Sequence, residues 1–372
     1  MHDNPTFDDP RPPTEEEWGI PLVEPRAAPD VERMFRRRSG MVSGAVPYVV
    51  PHPWLHRPFL FLATPSLTAL DTDFVSALSF IIARDNSCRF CYSTFRTLLR
   101  LSNYTPADLQ DLEAHFSMQG FSEQEEWGLR FAVRLSRCTG VAPALDRLAA
   151  VGYSDRAVRE MAGISVLNLV ANRVGTTLSI PVSTFEEMAD RWYLRPWRAV
   201  ALPLLQAVRS WRNGTERAAL DDRPEGALSR WTRTLAGTPV GALLHKMVGQ
   251  WLEADRPLSR RTKLLMLAVV AHGTGATELE AHIQSRLAEA HDCSGAAFEA
   301  AVDHFGGPAV DDDLAPLLRL ARASIRYDFG PIKRTARHCT EGLDRAATLE
   351  AIASISLANA LARLEPLFAL DE

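Results

Sequence analysis

Two cysteines stand three apart in the stretch SFIIARDNSCRFCYSTFRTLLRL, residues 79–101. Cys88 and Cys91 lie between two apolar runs, and this spacing admits three chemistries. A C-x-x-C at the start of a helix is a reversible dithiol when helix amides and the positive end of the helix dipole face the sulfur. The same spacing is half of a zinc site when a second pair or two histidines complete it. It is also compatible with two small apolar thiols in a helix seam. No second pair exists, because the remaining cysteines, Cys138, Cys293 and Cys339, are isolated. Asn86 and Ser87 occupy the place where an N-cap belongs, which puts Cys88 in the first helical turn and Cys91 at its end. Arg84, Arg89 and Arg96 are close in sequence.

The elements that must position this pair are helical. Ala, Leu and Arg dominate the composition and no sustained alternating pattern is seen. The expected helices are 53–62, 69–84, 88–102, 106–117, 122–137, 142–150 and 154–179. Thr105 with Pro106, Ser122 ahead of acidic residues, and Ser154 mark three of their starts. Residues 1–45 read as a Pro-rich, charged arm, helical briefly at DVERMFRRR, with Trp18, Ile20 and Leu22 as its clips onto the body. Residues 191–226 read as linker helices whose RWYLRPW segment packs across the halves. From 227 to 372 the layout of 46–190 recurs at an offset of about 190 residues, ISVLN (164–168) matching ISLAN (355–359). The expected architecture is therefore all-α, a tandem of two helical bundles.

The bulk properties exclude several classes. A net charge of −5 over 372 residues gives no basic footprint for nucleic acid. The longest apolar runs, such as LLMLAVVA, fall short of a membrane span. The acidic, Pro-rich start is unlike a secretory signal, and five sparse cysteines argue against a disulfide framework. The expectation is a cytoplasmic protein that binds neither nucleic acid nor membrane.

The apolar helix, short break, C-x-x-C and following helix, with the run GFSEQEEWGLRFAVRLSR…VGYSDRAVREMAGISVLNLVANRVGTTLSIP, resemble the alkylhydroperoxidase D-like / carboxymuconolactone decarboxylase superfamily. So does the Asn172–Arg173 pair late in the last helix. The resemblance covers residues 50–185 well and 235–370 faintly. It implies two tandem alkylhydroperoxidase D-like helical bundles and no cofactor. Redox members of that superfamily carry Glu-(eleven residues)-Cys-x-x-Cys-x-x-x-His, in which the second cysteine attacks, the first resolves, and Glu and His relay the proton. Carried over, Cys88 and Cys91 match the cysteines, Phe95 stands at the His position and Ser76 at the Glu position. Phe90 stands before the second cysteine, where peroxidase members often have His. The thiols remain and the relay is gone; Asp85, Arg84 and Arg89 are the nearest polar groups. In the second half, aligning GATELEAH on the motif puts Gly275 and Glu278 at the cysteine positions, His282 at the His and Lys263 at the Glu. Glu278 and His282, with His272 upstream, then form a candidate second site, an acid/base pair or a partial metal site, or else a surface Glu–His pair.

His52 and His56, in VPHPWLHRPF, join Ser76, Phe90 and Phe95 as candidates for lining a pocket. The leading functional expectation is a thiol–disulfide oxidoreductase or peroxidase-related enzyme using Cys88 and Cys91 on a small organic substrate or thiol reductant, assembled as a homodimer. The alternatives are a non-redox, carboxymuconolactone decarboxylase-like tailoring enzyme of secondary metabolism and a catalytically silent scaffold.

Overall fold

The computed structural model describes residues 14–65, 67–102, 104–118, 120–182, 228–291, 293–326 and 329–370. Among these residues it contains 18 α-helices, one closing 3-10 helix and no strand. The expected linker at 191–226, with its RWYLRPW segment, lies outside the described residues.

Four short helices lead in: α1 (Glu15–Trp18), α2 (Pro29–Ser39), α3 (Val46–Val49) and α4 (His56–Ala63). Six more follow: α5 (Thr72–Asp85), α6 (Arg89–Leu101), α7 (Pro106–His115), α8 (Glu123–Arg137), α9 (Val141–Ala150) and α10 (Asp155–Leu178). After α11 (Ser229–Arg233) and α12 (Pro239–Glu253) the series returns as α13 (Arg260–Thr274), α14 (Thr277–His291), α15 (Ala296–His304), α16 (Leu314–Ala323), α17 (Phe329–Thr340) and α18 (Arg345–Ala362). The caps read from sequence are present. Thr105 and Ser122 close capping boxes with Asp108 and Glu125, and the Ser154 hydroxyl accepts from the amide of Ala157.

The two series use the same contacts in the same order. In each, the first helix packs on the second and fourth, the fourth on the fifth, and the sixth on the first. Phe116 and Phe305 end α7 and α15 in left-handed backbone. The buried Ser165 and Ser356 hydroxyls donate to the carbonyls one turn back, of Met161 and Ile352. Asn168 and Asn359, the last residues of the matched pentapeptides, each donate from Nδ2 to a buried serine hydroxyl, at 2.9 and 2.8 Å.

α10 and α18 lie at the centre, packed against each other. Both are buried on every side rather than on one stripe, and the polar groups they carry inward are largely hydrogen-bonded or paired. Polar clasps fasten the halves. Arg173 Nε donates to the Ser324 carbonyl (3.1 Å) and Arg363 Nε returns the contact to the Ser136 carbonyl (2.6 Å). Each guanidinium crosses into the other half to meet a carbonyl at a helix end.

The arm docks as expected at two of its three clips. The Trp18 indole is buried, donates to the Ile180 carbonyl (2.8 Å) and stacks on Phe329; the Leu22 amide donates to the Leu178 carbonyl. Ile20 departs from the expectation, with its side chain 75% exposed. The arm is held there through the Ile20 carbonyl, which accepts from Arg337.

Candidate functional site: a buried dithiol at a helix start

The α5–α6 turn sets the cysteine geometry. Ser87 takes a left-handed backbone (φ 48°), the Cys88 amide donates to the Ala83 carbonyl and the Tyr92 amide to that of Cys88. Cys88 is therefore the N-cap of α6, outside the first turn where the sequence placed it, and Asn86 is the C-cap of α5. One consequence is chemical. An N-cap side chain accepts from the helix's own first amides, and here the Cys91 amide points at Cys88 Sγ at 3.4 Å.

Both sulfurs are free thiols and both are buried. α10 covers them at a glycine, since a Cβ on Gly175 would lie 2.9 Å from Cys88 Sγ and 3.8 Å from Cys91 Sγ. Burial pushes the Cys91 thiol well above its ordinary value, and the neighbouring Cys88 adds to the shift. The arginines near in sequence have partners elsewhere. Arg84 donates to the Glu113 carbonyl and Arg89 faces Glu15 at 3.9 Å. Asp85 is claimed by Arg137 of α8 (2.6 Å); burial raises its pKa, with Arg137 pulling the other way. None of the three forms a proton relay to the thiols.

The remaining first-half candidates separate into two groups. Phe90 and Phe95 are buried on the cysteine helix itself, Phe90 edge-on to Phe59 and within reach of Gly175. The half-buried Ser76 turns its hydroxyl back onto the Thr72 carbonyl of its own helix (2.9 Å). His52 and His56 belong to a different cluster. His52 Nε2 lies 2.7 Å from Glu350 of α18, whose carboxylate also pairs with the fully buried Lys263. Burial alone would raise the Glu350 pKa, but the hydrogen bonds from His52 and Lys263 outweigh it and hold the carboxyl below its ordinary value. The Lys263 ammonium is further held by the Trp251 and Ala254 carbonyls (2.9 and 2.7 Å). His56 has its pKa lowered by burial first and by Arg57 next.

The second-half alignment needs a correction of one residue. The Gly275 amide donates to the His272 carbonyl, as Ser87 does to Arg84. The Ala276 amide donates to Ala271, as Cys88 does to Ala83, and the Glu280 amide to Ala276, as Tyr92 does to Cys88. Gly275 is also left-handed (φ 73°), like Ser87. The counterparts of Cys88, Cys91, Phe95 and Ser76 are therefore Ala276, Leu279, Ile283 and Leu264, all apolar and buried. Gly275, Glu278, His282 and Lys263 each stand one position early. The apolar spacing agrees with this register, since Leu279, Ile283 and Leu287 repeat the interval of Cys91, Phe95 and Leu99; aligning on the histidine of the motif passed over it.

The second-site candidates are not brought together. Glu278 pairs with Arg230, His282 packs against the Trp231 ring, and His272 bridges Glu280 and Asp303. The sequence reading missed one group entirely. Glu365, at the start of the 3-10 helix after α18, places its carboxylate on the amides of Glu278 (3.2 Å) and Leu279 (2.9 Å) at the start of α14. Nothing in the local sequence flags it, because a carboxylate 86 residues away is joined to this helix only by the fold.

No family model, curated protein or solved structure matches the chain.

Proposed function

We propose that the protein is a thiol–disulfide oxidoreductase working through Cys88 and Cys91, on a tandem of two alkylhydroperoxidase D-like bundles. One observation carries this reading. At the start of α14 the Leu279 amide holds the carboxylate of Glu365; at the start of α6 the equivalent Cys91 amide is directed at the sulfur of Cys88. The fold uses this position for an anion in one half and offers it to a thiol in the other. Helix-start amides and the dipole behind them stabilise negative charge there.

The hydrogen bond supports a division of roles. Cys88, which accepts the amide, is the sulfur placed to carry negative charge and attack. Cys91, whose thiol is pushed up by burial and by the neighbouring Cys88, resolves. With an organic disulfide as oxidant, Cys88 sulfur bonds to one substrate sulfur and expels the other as a thiolate. Cys91 then loses its proton and attacks Cys88 sulfur, expelling the second substrate thiolate. The protein is left as the Cys88–Cys91 disulfide and the substrate as two thiols. A dithiol reductant resets the pair. The absent Glu/His relay fits a disulfide better than a peroxide, because a thiolate leaves without a proton donor and hydroxide does not.

The burial of both sulfurs favours a second reading, a silent scaffold in which the thiols only pack. A redox titration read by alkylation and intact mass separates the two. A two-electron step that is lost in Cys91→Ser is the expected result. Thiols that never pair, or that alkylate only on unfolding, would sink the redox reading and leave the scaffold.

A further inference from the structure

The comparison of helix starts also bears on what the site binds, an inference that rests on the redox reading for its purpose but not for its test. At the start of α14 two consecutive amides share one carboxylate. Of their counterparts on α6, the Cys91 amide is directed at Cys88, while the Phe90 amide has no hydrogen-bond partner among the described residues.

A second observation comes from α10. Asn172 is fully buried, and neither its amide nitrogen nor its oxygen has a hydrogen-bond partner among the described residues; the same is true of the Thr176 hydroxyl, one turn on. Asn168, Asn172 and Gly175 follow at i, i+4 and i+7, one stripe of the helix. Asn168 touches Ser79 of α5 and Gly175 touches Cys88, so Asn172 faces the α5–α6 layer between those two contacts. An unpaired buried amide is costly, and a bound water, ion or ligand is among the reasons such a group is retained. The corresponding place on α18 is taken by Arg363, whose guanidinium is fully engaged with the carbonyls of Ser136, Asn359 and Ile325 and the Asn359 side chain.

We infer that the start of α6, roofed by Asn172 and Thr176, binds the carboxylate of a small organic acid, the rest of which reaches Cys88. The donors are the Phe90 amide, Asn172 Nδ2 and the Thr176 hydroxyl, in the place where the other half seats Glu365. The substrate of the dithiol is then a carboxylate-bearing thiol or disulfide.

Iodoacetate and iodoacetamide test this directly. Both alkylate a thiolate at the same carbon, forming a C–S bond and releasing iodide, and only the first carries a carboxylate. Rates at Cys88 are followed by peptide mass in the reduced protein, each divided by the rate for glutathione. The iodoacetate-to-iodoacetamide ratio is expected to exceed the glutathione ratio by about tenfold, the worth of one charge-assisted hydrogen bond. Asn172→Leu is expected to lower the iodoacetate rate more than the iodoacetamide rate, and so to remove that excess. The same variant holds or raises the melting temperature, because it deletes an unpaired buried amide. A ratio no higher than that of glutathione, no reaction of Cys88 with either reagent in the folded protein, or an excess that survives in Asn172→Leu overturns the inference. A melting temperature that falls together with both rates assigns Asn172 to packing and overturns it as well. No reaction with either reagent would sink the redox reading too, whereas a Cys88 that alkylates without the excess overturns this inference alone, because neither rate depends on the dithiol forming a disulfide.

Discussion

The α5–α6 and α13–α14 hairpins are the same piece of backbone filled in two ways. Both turn through one left-handed residue, Ser87 or Gly275, and close with the same three hydrogen bonds. Both fasten the turn sideways to an acidic residue on the third helix of the half. Arg84 and Tyr92 reach Glu113 in the first, and His272 reaches Asp303 in the second. The contents differ. Where the first half has Cys88, Cys91 and Phe95, the second has Ala276, Leu279 and Ile283. The helix start is closed by a sulfur in one and by the Glu365 carboxylate in the other. The hairpin therefore folds without thiols, and apolar side chains meet its packing needs. What the first half carries beyond that, two thiols and an unpaired buried amide, is not required by the architecture. Such departures from local consistency are where functional sites are expected.

The central helices extend the comparison, and the strongest test lies there. On α18, Glu350 clasps His52 from the lead-in to the first half; on α10, the matching Arg159 clasps the Thr234 and Leu370 carbonyls of the second. Glu350→Gln leaves the Lys263 ammonium buried without its anion, and is expected to cost about 3–5 kcal/mol in denaturant unfolding. The pH dependence has a definite sign. The folded carboxyl titrates below its ordinary value of 4.5, so its stabilisation is fully present above pH 4.5 and is lost as pH falls through the folded value. Unfolding free energy measured between pH 3 and pH 7 should show that acid limb in the wild type and lack it in Glu350→Gln (the span is about the range over which carboxylates titrate). A variant whose acid limb matches the wild type would remove Glu350 from the account.

Gly175 is next. A methyl group there meets Cys88 Sγ, so Gly175→Ala should destabilise by about 1–3 kcal/mol, less up to about 1 kcal/mol regained from helix propensity. Truncating the sulfur relieves the clash, and the same change in a Cys88→Ala background should be close to neutral. A double-mutant cycle without coupling would mean that α10 does not press on the thiol. Glu365→Ala removes the carboxylate from the second helix start and should cost about 1 kcal/mol, the worth of a partly exposed cap. Thiol reactivity at Cys88 should not change, since the two helix starts are separate; a changed alkylation rate would contradict that. The smallest effect is expected for Cys88→Ala alone, which installs the residue the second half uses. A loss of more than about 1 kcal/mol in the melting curve would show that the first hairpin does depend on its thiol.

The helices were legible because their signals are local. Thr105, Ser122 and Ser154 act through hydrogen bonds within three residues, and the apolar spacing of 123–137 or 155–178 needs no partner to be read. The match of ISVLN to ISLAN was legible for the same reason, and Ser165, Asn168, Ser356 and Asn359 each donate to the carbonyl one turn back. The dithiol itself announced its spacing. Its cap position did not, since Asn86 is as good a cap residue as any, and only the left-handed Ser87 moves the helix start to Cys88.

The sequence by itself determined that this chain is helical, that its two halves share a plan, and that Cys88 and Cys91 stand at a helix start in one of them. Those facts follow from periodicity and capping, which act over a few residues. The tertiary structure decided the rest. It set the register between the halves, because the turn hydrogen bonds count single residues. It paired His52 with Glu350 and Lys263, and set Glu365 on the start of α14, across separations that no local pattern spans. It laid Gly175 on the two sulfurs and left the buried Asn172 amide, on the same helix, unpaired. Burial and long-range pairing determine what a thiol or a carboxylate can do, and both are properties of the packed molecule.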